Sequence, residues 1–293
     1  MLVVQNVGKE YGNFKALRNI NLQFDNGIYG LLAPNGAGKT TLIKMLVTLI
    51  SPTTGDIFYQ GQSLKKLGQS YREEVGYLPQ HFGYYKHSTP KQYLNYLAAL
   101  KGMDKQIVPN RIDEVLDMVA LKDVKNKKMR KFSGGMLQRV GIAQALLSNP
   151  KIIILDEPTA GLDPKERARF RHMLSDLARN RIIIISTHIV SDIESIANEI
   201  IMIKNNVISH KDSVVNICST LTGKIFETMM SHEDITEFRK NYITLAEKQE
   251  QGKMVVRFVA EEKLEPSWKS VEPQLEDVFL VEYAYEDTSG NNK

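Results

Sequence analysis

The stretch Ala33-Pro34-Asn35-Gly36-Ala37-Gly38-Lys39-Thr40-Thr41 joins a glycine-rich turn to a lysine and two hydroxyls. A turn of this kind aims successive backbone N–H groups at one point, beside the positive end of a helix dipole, and so cradles a phosphate. Lys39 is placed to reach β- and γ-phosphates as a point charge, and the Thr40 hydroxyl to ligate Mg²⁺. One position departs from the G-x-x-x-x-G-K-[ST] pattern, since Ala33 stands where the first glycine is expected. Glycine is needed only where φ is positive or where a side chain would strike the ligand. The two glycines nearest the phosphates, Gly36 and Gly38, are present.

Further along, Ile152-Ile153-Ile154-Leu155-Asp156-Glu157 is an apolar run that ends in two carboxylates. A strand apolar throughout is buried on both faces, as in a parallel sheet, and its end lies at the rim where such sheets bind ligands. Asp156 suits a Mg²⁺ ion held through water; Glu157 suits a base that orients and deprotonates an attacking water. His188 follows a second such run, Ile182–Ile185 and Ser186-Thr187, at a position from which it could touch a γ-phosphate. A lone histidine is more often structural, and its place at a strand end is what favours function. Ser133-Gly134-Gly135 opens a helical pattern with a hydroxyl and free N–H groups at a positive dipole end, although Ser and Gly also simply cap helices. Tyr11 could stack on a nucleotide base or merely pack.

The elements that must position these groups follow from periodicity. Residues 2–7 and 17–24 alternate as strands, Asp25-Asn26-Gly27 is a turn, and Ile28–Leu32 is the strand that feeds the loop. Leu42, Met45, Leu46 and Leu49 then share one helical face. Ser51–Gly55 reads as a turn, Asp56–Gln60 as a short strand and Val75–Gln80 as an apolar run. Ser88-Thr89-Pro90 predicts a cap and first-turn proline for a helix with Tyr93, Leu97 and Leu100 inward. Ile112, Val115, Leu116 and Val119 predict a second helix. The basic run Lys125–Lys131 reads as a solvated connector. With the helix after Ser133 (Met136, Val140, Ala143, Leu147), these make a helical insertion of about residues 85–150. Pro158–Pro164 is a turn-rich loop before a helix with Phe170, Met173, Leu174 and Leu177 inward. Ile189, Ile193, Ile196 and Ile200 predict one more helix, and Ile200–Ile203 with Val207-Ile208 around Asn205-Asn206 a hairpin.

Near residue 212 the style changes. Ser231–Asp234 resembles a capping box, Met254–Val259 a strand, and Pro273 to about Tyr283 a helix with Leu275, Val278 and Phe279 inward. The expectation is an α/β domain over residues 1–212 and a small α+β accessory domain over 213–293, the latter without a catalytic constellation. Thr288–Lys293 reads as a disordered polar tail. At 42% hydrophobic and 25% charged residues the composition is that of an ordinary soluble globular protein, and a net charge of +4 is too mild to argue a nucleic-acid surface. Cys218 is the single cysteine, so no intrachain disulfide forms and a reducing compartment is natural. No signal peptide is evident, and the apolar runs are too short to span a bilayer, so a membrane role requires a partner.

In this order the motifs resemble the ATP-binding subunit of an ABC transporter over residues 1 to about 212. Tyr11 matches the base-stacking aromatic, Ala33–Thr40 the Walker A loop, Gln80 the Q-loop glutamine, and Phe132–Met136 the signature usually written Leu-Ser-Gly-Gly-Gln. Ile152–Asp156 matches Walker B, Glu157 the catalytic glutamate, Asp163 the D-loop aspartate and His188 the switch histidine. The resemblance implies a P-loop NTPase core of the ABC ATPase type, with a β-subdomain and a helical subdomain, and ATP with Mg²⁺ as ligands. It implies nucleotide contacts from Tyr11, Asn35, Gly36, Ala37, Gly38, Lys39, Thr40, Thr41, Ser133, Gly134, Gly135, Met136 and Asp163. Metal contacts would come from Thr40, Gln80 and Asp156, and catalytic roles would fall to Glu157, His188, Gln80 and Lys39. Two signature positions differ: Phe132 replaces Leu, and Met136 replaces Gln and so lacks an amide's hydrogen bonds. Leu275-Glu276-Asp277-Val278-Phe279-Leu280, after Pro273, looks like the C-terminal element of bacterial drug- and antibiotic-exporter ATPases.

The resemblance also implies a head-to-tail dimer, with ATP between one subunit's loop and the other's Ser133-Gly134-Gly135. The second ATPase subunit would be the same or a related chain. An integral membrane transporter subunit would be reached through Gln80 and the helical insertion, which puts the protein at the cytoplasmic face of the membrane as a peripheral subunit. An importer ATPase would differ only in its membrane partner. A soluble mechanical ATPase acting on nucleic acid or ribosomes is disfavoured, because there is no heptad tract, no second cassette and no basic face with interleaved aromatics. No nucleic-acid partner is therefore expected. A regulatory module without hydrolysis is disfavoured by Glu157 and His188 together.

Overall fold

The computed structural model describes residues 1–283, so the tail expected at Thr288–Lys293 lies outside the described residues. The chain divides into two compact units, Met1–Lys211 and a second beginning at Asp212. Along the first, the strands are β1 (Leu2–Tyr11), β2 (Phe14–Phe24), β3 (Gly27–Leu32), β4 (Thr54–Tyr59), β5 (Gln62–Ser63), β6 (Val75–Leu78), β7 (Ile152–Asp156), β8 (Ile182–Thr187), β9 (Glu199–Lys204) and β10 (Val207–Asp212). The helices are α1 (Lys39–Leu46), α2 (Leu64–Leu67), α3 (Gln69–Glu73), α4 (Pro90–Leu100), α5 (Val108–Met118), α6 (Gly134–Leu146) and α7 (Pro164–Leu177).

One four-stranded antiparallel sheet has the order β2-β1-β4-β5, and a six-stranded sheet has the order β10-β9-β3-β8-β7-β6. In the second sheet β3 runs parallel to β8 and β9, and β7 parallel to β6 and β8. Every residue of β3, β7 and β8 is buried, and the isoleucine runs of β7 and β8 supply stiff, branched side chains that pack well on both faces of a parallel sheet. This is the α/β core of a P-loop NTPase. The helical insertion starts where expected: Thr89 accepts from Gln92 N, the Gln92 side chain returns to the Thr89 N–H, and Pro90 fills the first turn. The Asn205-Asn206 turn joins β9 to β10 with φ of 50° and 67°, the left-handed pair a tight hairpin requires.

Three helical expectations are corrected. Leu49 does not share the face of α1; that helix ends at Leu46, where the buried Tyr71 hydroxyl donates to the Leu46 carbonyl at 2.7 Å, and Leu49 is 63% exposed. Leu100 is the last residue of α4 and is 67% exposed, the buried face being Tyr93, Leu94 and Ala98. No helix runs from Ile189 to Ile200. A short 3-10 turn at Val190–Asp192 is followed by turns, and Ile200 belongs to β9. Asn198 ends the helical option by pairing with the backbone of Ile28, its N–H donating to the carbonyl at 2.8 Å and its Oδ1 accepting from the N–H at 2.7 Å. Among the described residues no helix is long and apolar enough to cross a membrane.

The second unit holds α8 (Val214–Ser219), β11 (Ile225–Met230), α9 (Ile235–Asn241), β12 (Ile243–Glu250), β13 (Lys253–Val259), β14 (Lys269–Ser270) and α10 (Leu275–Tyr283). Its antiparallel sheet has the order β12-β13-β11-β14. Phe226, Phe258 and Trp268 are buried together with Ala260, and Phe238 and Tyr242 pack against them. The Phe258 and Trp268 rings meet edge to face at 4.8 Å, the arrangement ring quadrupoles favour. At Ser231–Asp234 only half of a capping box forms. The Ser231 hydroxyl accepts from Asp234 N, but it donates to Asp234 Oδ2, and α9 begins one residue later. Asp277, in α10, is buried: it takes bidentate hydrogen bonds from Arg257 of β13 at 2.9 and 2.6 Å and a third bond from Gln274 N at 2.7 Å.

Candidate functional site

Four strands of the parallel sheet deliver their C-terminal ends to one rim. The register aligns Leu32 with Thr187, Asp156 with Ser186, and Leu78 with Leu155. The next residues are therefore the phosphate-loop entry after β3, Glu157 after β7, His188 after β8 and Pro79-Gln80 after β6, at the edge where such sheets bind ligands.

In the loop, Gly36 and Gly38 have φ of 85° and 104°, and a side chain at Gly38 would come within 2.9 Å of the Ala16 carbonyl. Ala33 is fully buried and lies outside the left-handed region, which is why alanine serves there. Gly38 caps α1 without a side chain, leaving the first N–H groups of the helix open. Lys39 is buried and folds back to donate to the carbonyls of Ala33 and Pro34. Burial holds its ammonium below the ordinary value, against the pull of Glu157 and Asp156.

A recess gathers Asn35, Gly36, Gly38, Lys39, Thr40, Thr41, Gln80, Asp156 and Glu157 with Tyr11, Phe14, Ala16 and Pro34. Ala37 belongs to the loop but does not line this recess. Tyr11 is half exposed at the end of β1, opposite Phe14 across the Gly12-Asn13 turn. Sequence reasoning missed Phe14 and Ala16; the turn and the alternation along β2 were the available signals. Burial pushes the Asp156 carboxyl above its ordinary value, the Glu157 charge adding to the shift and Lys39 opposing it. Thr40, Asp156 and Gln80 bring oxygen donors to one recess, the hard ligands Mg²⁺ prefers, and a cation would relieve the buried Asp156 charge. Among the described residues there is no cluster of three or more His, Cys, Asp or Glu that could hold a metal.

Glu157 is 6% exposed and His188 keeps a mostly exposed ring, with Nδ1 at 3.0 Å from both Glu157 carboxylate oxygens. The hydrogen bond is made to Oε1, and buried Oε2 carries none. Glu157 has φ of 52°, in the left-handed region; its N–H donates to the Ser186 carbonyl at 2.9 Å, and its carbonyl accepts from Gln138 Nε2 at 3.3 Å.

Ser133, Gly134, Gly135, Met136 and Asp163 do not line this recess. Ser133 caps α6, its hydroxyl accepting from Met136 N at 3.2 Å, and both Ser133 and Gly134 are exposed. Gly135 is buried where a side chain would strike Glu166. Asp163 caps α7 by accepting from Glu166 N at 2.8 Å. The residues expected to contact nucleotide thus form two groups, one around the recess and one at the starts of α6 and α7.

A family model described as ABC transporter matches residues 17–160. The bacitracin transport ATP-binding protein BcrA of Bacillus licheniformis is 42% identical over 193 residues, 65% of this chain and 62% of that protein. The probable sulfate/thiosulfate import ATP-binding protein CysA of Chlorella vulgaris is 32% identical over 201 residues, 68% of this chain and 85% of that protein. The solved dimer of MJ0796, a bacterial ABC transporter cassette, has a TM-score of 0.67 at 27% identity over 73% of this chain and 98% of its own. A second MJ0796 structure is a dimeric post-hydrolysis state bound to ADP and Pi. The chain spans about half to two thirds of the length of bacterial relatives such as BcrA. Because the likeness to CysA extends over 85% of that protein, and the family model takes in the phosphate loop and Asp156-Glu157 together, the chain belongs to the family of ABC transporter ATP-binding proteins.

Proposed function

We propose that this chain binds and hydrolyses ATP to power an ABC transporter, as a peripheral subunit on the cytoplasmic face of the membrane. The observation that carries the hydrolytic reading is the Glu157–His188 pair at the edge of the Lys39–Asp156 recess. His188 Nδ1, 3.0 Å from both carboxylate oxygens, orients Glu157 as the acceptor for the proton of an attacking water. That water attacks the γ-phosphorus, the bond from the γ-phosphorus to the bridging oxygen breaks, ADP leaves, and the proton passes to Glu157. Lys39 leaves its two loop carbonyls and neutralises charge on the β- and γ-phosphates. Tyr11 stacks on the base, and Asn35 through Thr41 supply N–H and hydroxyl groups to the phosphates. Gln80 holds the water and senses the γ-phosphate. Mg²⁺, held by Thr40, Asp156 and Gln80, would supply charge neutralisation at the phosphates.

Ser133 and Gly134, exposed and outside the recess, suit the nucleotide of a second subunit, with Gly135, Met136 and Asp163 beside them. A γ-phosphate bridging two half-sites stabilises the closed dimer only while it is attached, so hydrolysis opens it. Export of a drug, peptide or lipid-like substrate is the preferred direction, supported by the Leu275–Leu280 element, and the likeness to BcrA, named for bacitracin transport, supports a drug-like substrate. The likeness to CysA supports import as the second reading.

The test is Glu157→Gln. Phosphate release is expected to fall by about a hundredfold or more, with ATP still bound and an ATP-dependent dimer accumulating on size-exclusion chromatography. Near-normal release by this variant would remove Glu157 from the role. The membrane protein that co-purifies with the chain decides direction.

A further inference from the structure

The main-chain conformation of Glu157 is the starting point. Five of the ten non-glycine residues with positive φ among the described residues are asparagines, which tolerate that region; Glu157, at φ 52°, is the one that lines the recess. A side chain held in the left-handed region persists only when its surroundings over-determine it. Here the surroundings are specific. The Glu157 N–H extends the β7–β8 register by one residue, onto Ser186. The Glu157 carbonyl accepts from Gln138 Nε2 at 3.3 Å, beside a 3.4 Å contact from Ala160 N. Gln138 is itself buried, and an acceptor opposite it orients its amide with the NH₂ toward Glu157.

Gln138 stands on α6, five positions after Ser133, roughly 8 Å along the helix axis. Its neighbour Arg139 pairs with Glu166 of α7 at 2.8 Å and donates to the carbonyls of Val119 and Ala120. The helix that carries Ser133 and Gly134 at its start is therefore tied to the backbone of Glu157 by one buried side chain. Building on the hydrolytic reading above, we infer that Gln138 is a positioning residue for Glu157. Its amide makes the setting of the Glu157 carboxylate depend on the position of α6. Engagement of Ser133 and Gly134 by one nucleotide is thereby relayed within the chain to the other recess.

The experiment compares the full-length wild type, Gln138→Met, its isosteric alternative Gln138→Glu, and Gln144→Leu in steady-state phosphate release and thermal melting. Gln144 is the control: on the same helix, its Nε2 donates to the Tyr77 carbonyl at 2.7 Å, with no tie to Glu157. Loss of Gln138's donor is expected to lower kcat by at least about tenfold while KM for ATP moves less than about twofold, because a base misplaced by an ångström loses rate and not affinity. Gln144→Leu is expected to keep kcat within about twofold. In a Glu157→Gln background, Gln138→Met should still form the ATP-dependent dimer. Unchanged kcat in both folded Gln138 variants overturns the inference. So does an equal loss in Gln144→Leu, or loss of the dimer in the double variant. Wild-type turnover that survives Glu157→Gln would instead overturn the hydrolytic reading itself.

Discussion

In the first unit Lys39, Asp156 and Glu157 are buried side by side, and burial moves both Lys39 and Asp156 away from their charged forms. In the second unit the largely buried Arg257 and the buried Asp277 form a bidentate pair, with Glu227 and the Glu272 carbonyl each accepting one further guanidinium hydrogen. There the Asp277 hydrogen bond pushes the Arg257 guanidinium further toward its charged form. The same ingredients serve opposite ends. Around the recess, charge is left incompletely matched and is therefore available to an incoming ligand. In the second unit it is matched internally and holds α10 against β13. A buried ion pair is strongly destabilising to break by removing one partner, whereas an unmatched buried charge is costly while it stays.

That contrast can be broken by substitution. Lys39→Ala should weaken ATP binding by about a hundredfold, the loss of a charged hydrogen bond worth about 3 kcal/mol, while the ligand-free melting temperature holds or rises. Isothermal titration and calorimetry read both; undiminished binding would sink the assignment of the loop. Asp277→Ala should do the reverse. Removing the bidentate partner of the largely buried Arg257, which then keeps only Glu227 and the Glu272 carbonyl, should cost the second unit about 3 kcal/mol in denaturant unfolding, with ATP affinity unchanged. A cost below about 1 kcal/mol would show that the pair is a surface-like contact.

The smallest effect is expected from Asp156→Asn. Folded Asp156 holds its proton more tightly than the unfolded chain does, so its contribution favours folding below its ordinary value of 3.8 and is lost as pH rises through the folded value. At neutral pH the ionised carboxylate is then a cost. The neutral isostere should raise the ligand-free melting temperature there, and its advantage should shrink as the pH is lowered. An advantage that grows on acidification would reverse the sign of the argument.

How far the sequence could be read follows from the range of each interaction. The loop, the two carboxylates and His188 were legible because each sits at or directly after the end of a fully buried strand, a local pattern. Ser88-Thr89-Pro90 announced α4 for the same reason. Tyr11 was legible, but its companion Phe14 was not, since only the hairpin register brings the two together. The isoleucines from Ile189 to Ile200 imitate a helical stripe. Ile193 and Ile200 instead pack over Gly30, one from a turn and one from a strand, and no local rule distinguishes the two. Asp277 read as one position of an amphipathic helix, because its partner Arg257 is twenty residues away. Gln138 was hidden likewise: its reach to Glu157 spans nineteen positions. The division near residue 212 was visible as a change of style, while the aromatic cluster inside the second unit depends on which strands pair.

Trp268 is the only tryptophan in the chain, and it is buried in that aromatic cluster, 1% exposed, with Phe226, Tyr242 and Phe258 around its ring. Its emission is consequently a private optical channel to the second unit. A red shift on heating or in denaturant registers the opening of that unit alone, while nucleotide titrations follow the first. The chain thus carries its own means of asking whether its two units unfold together or in turn.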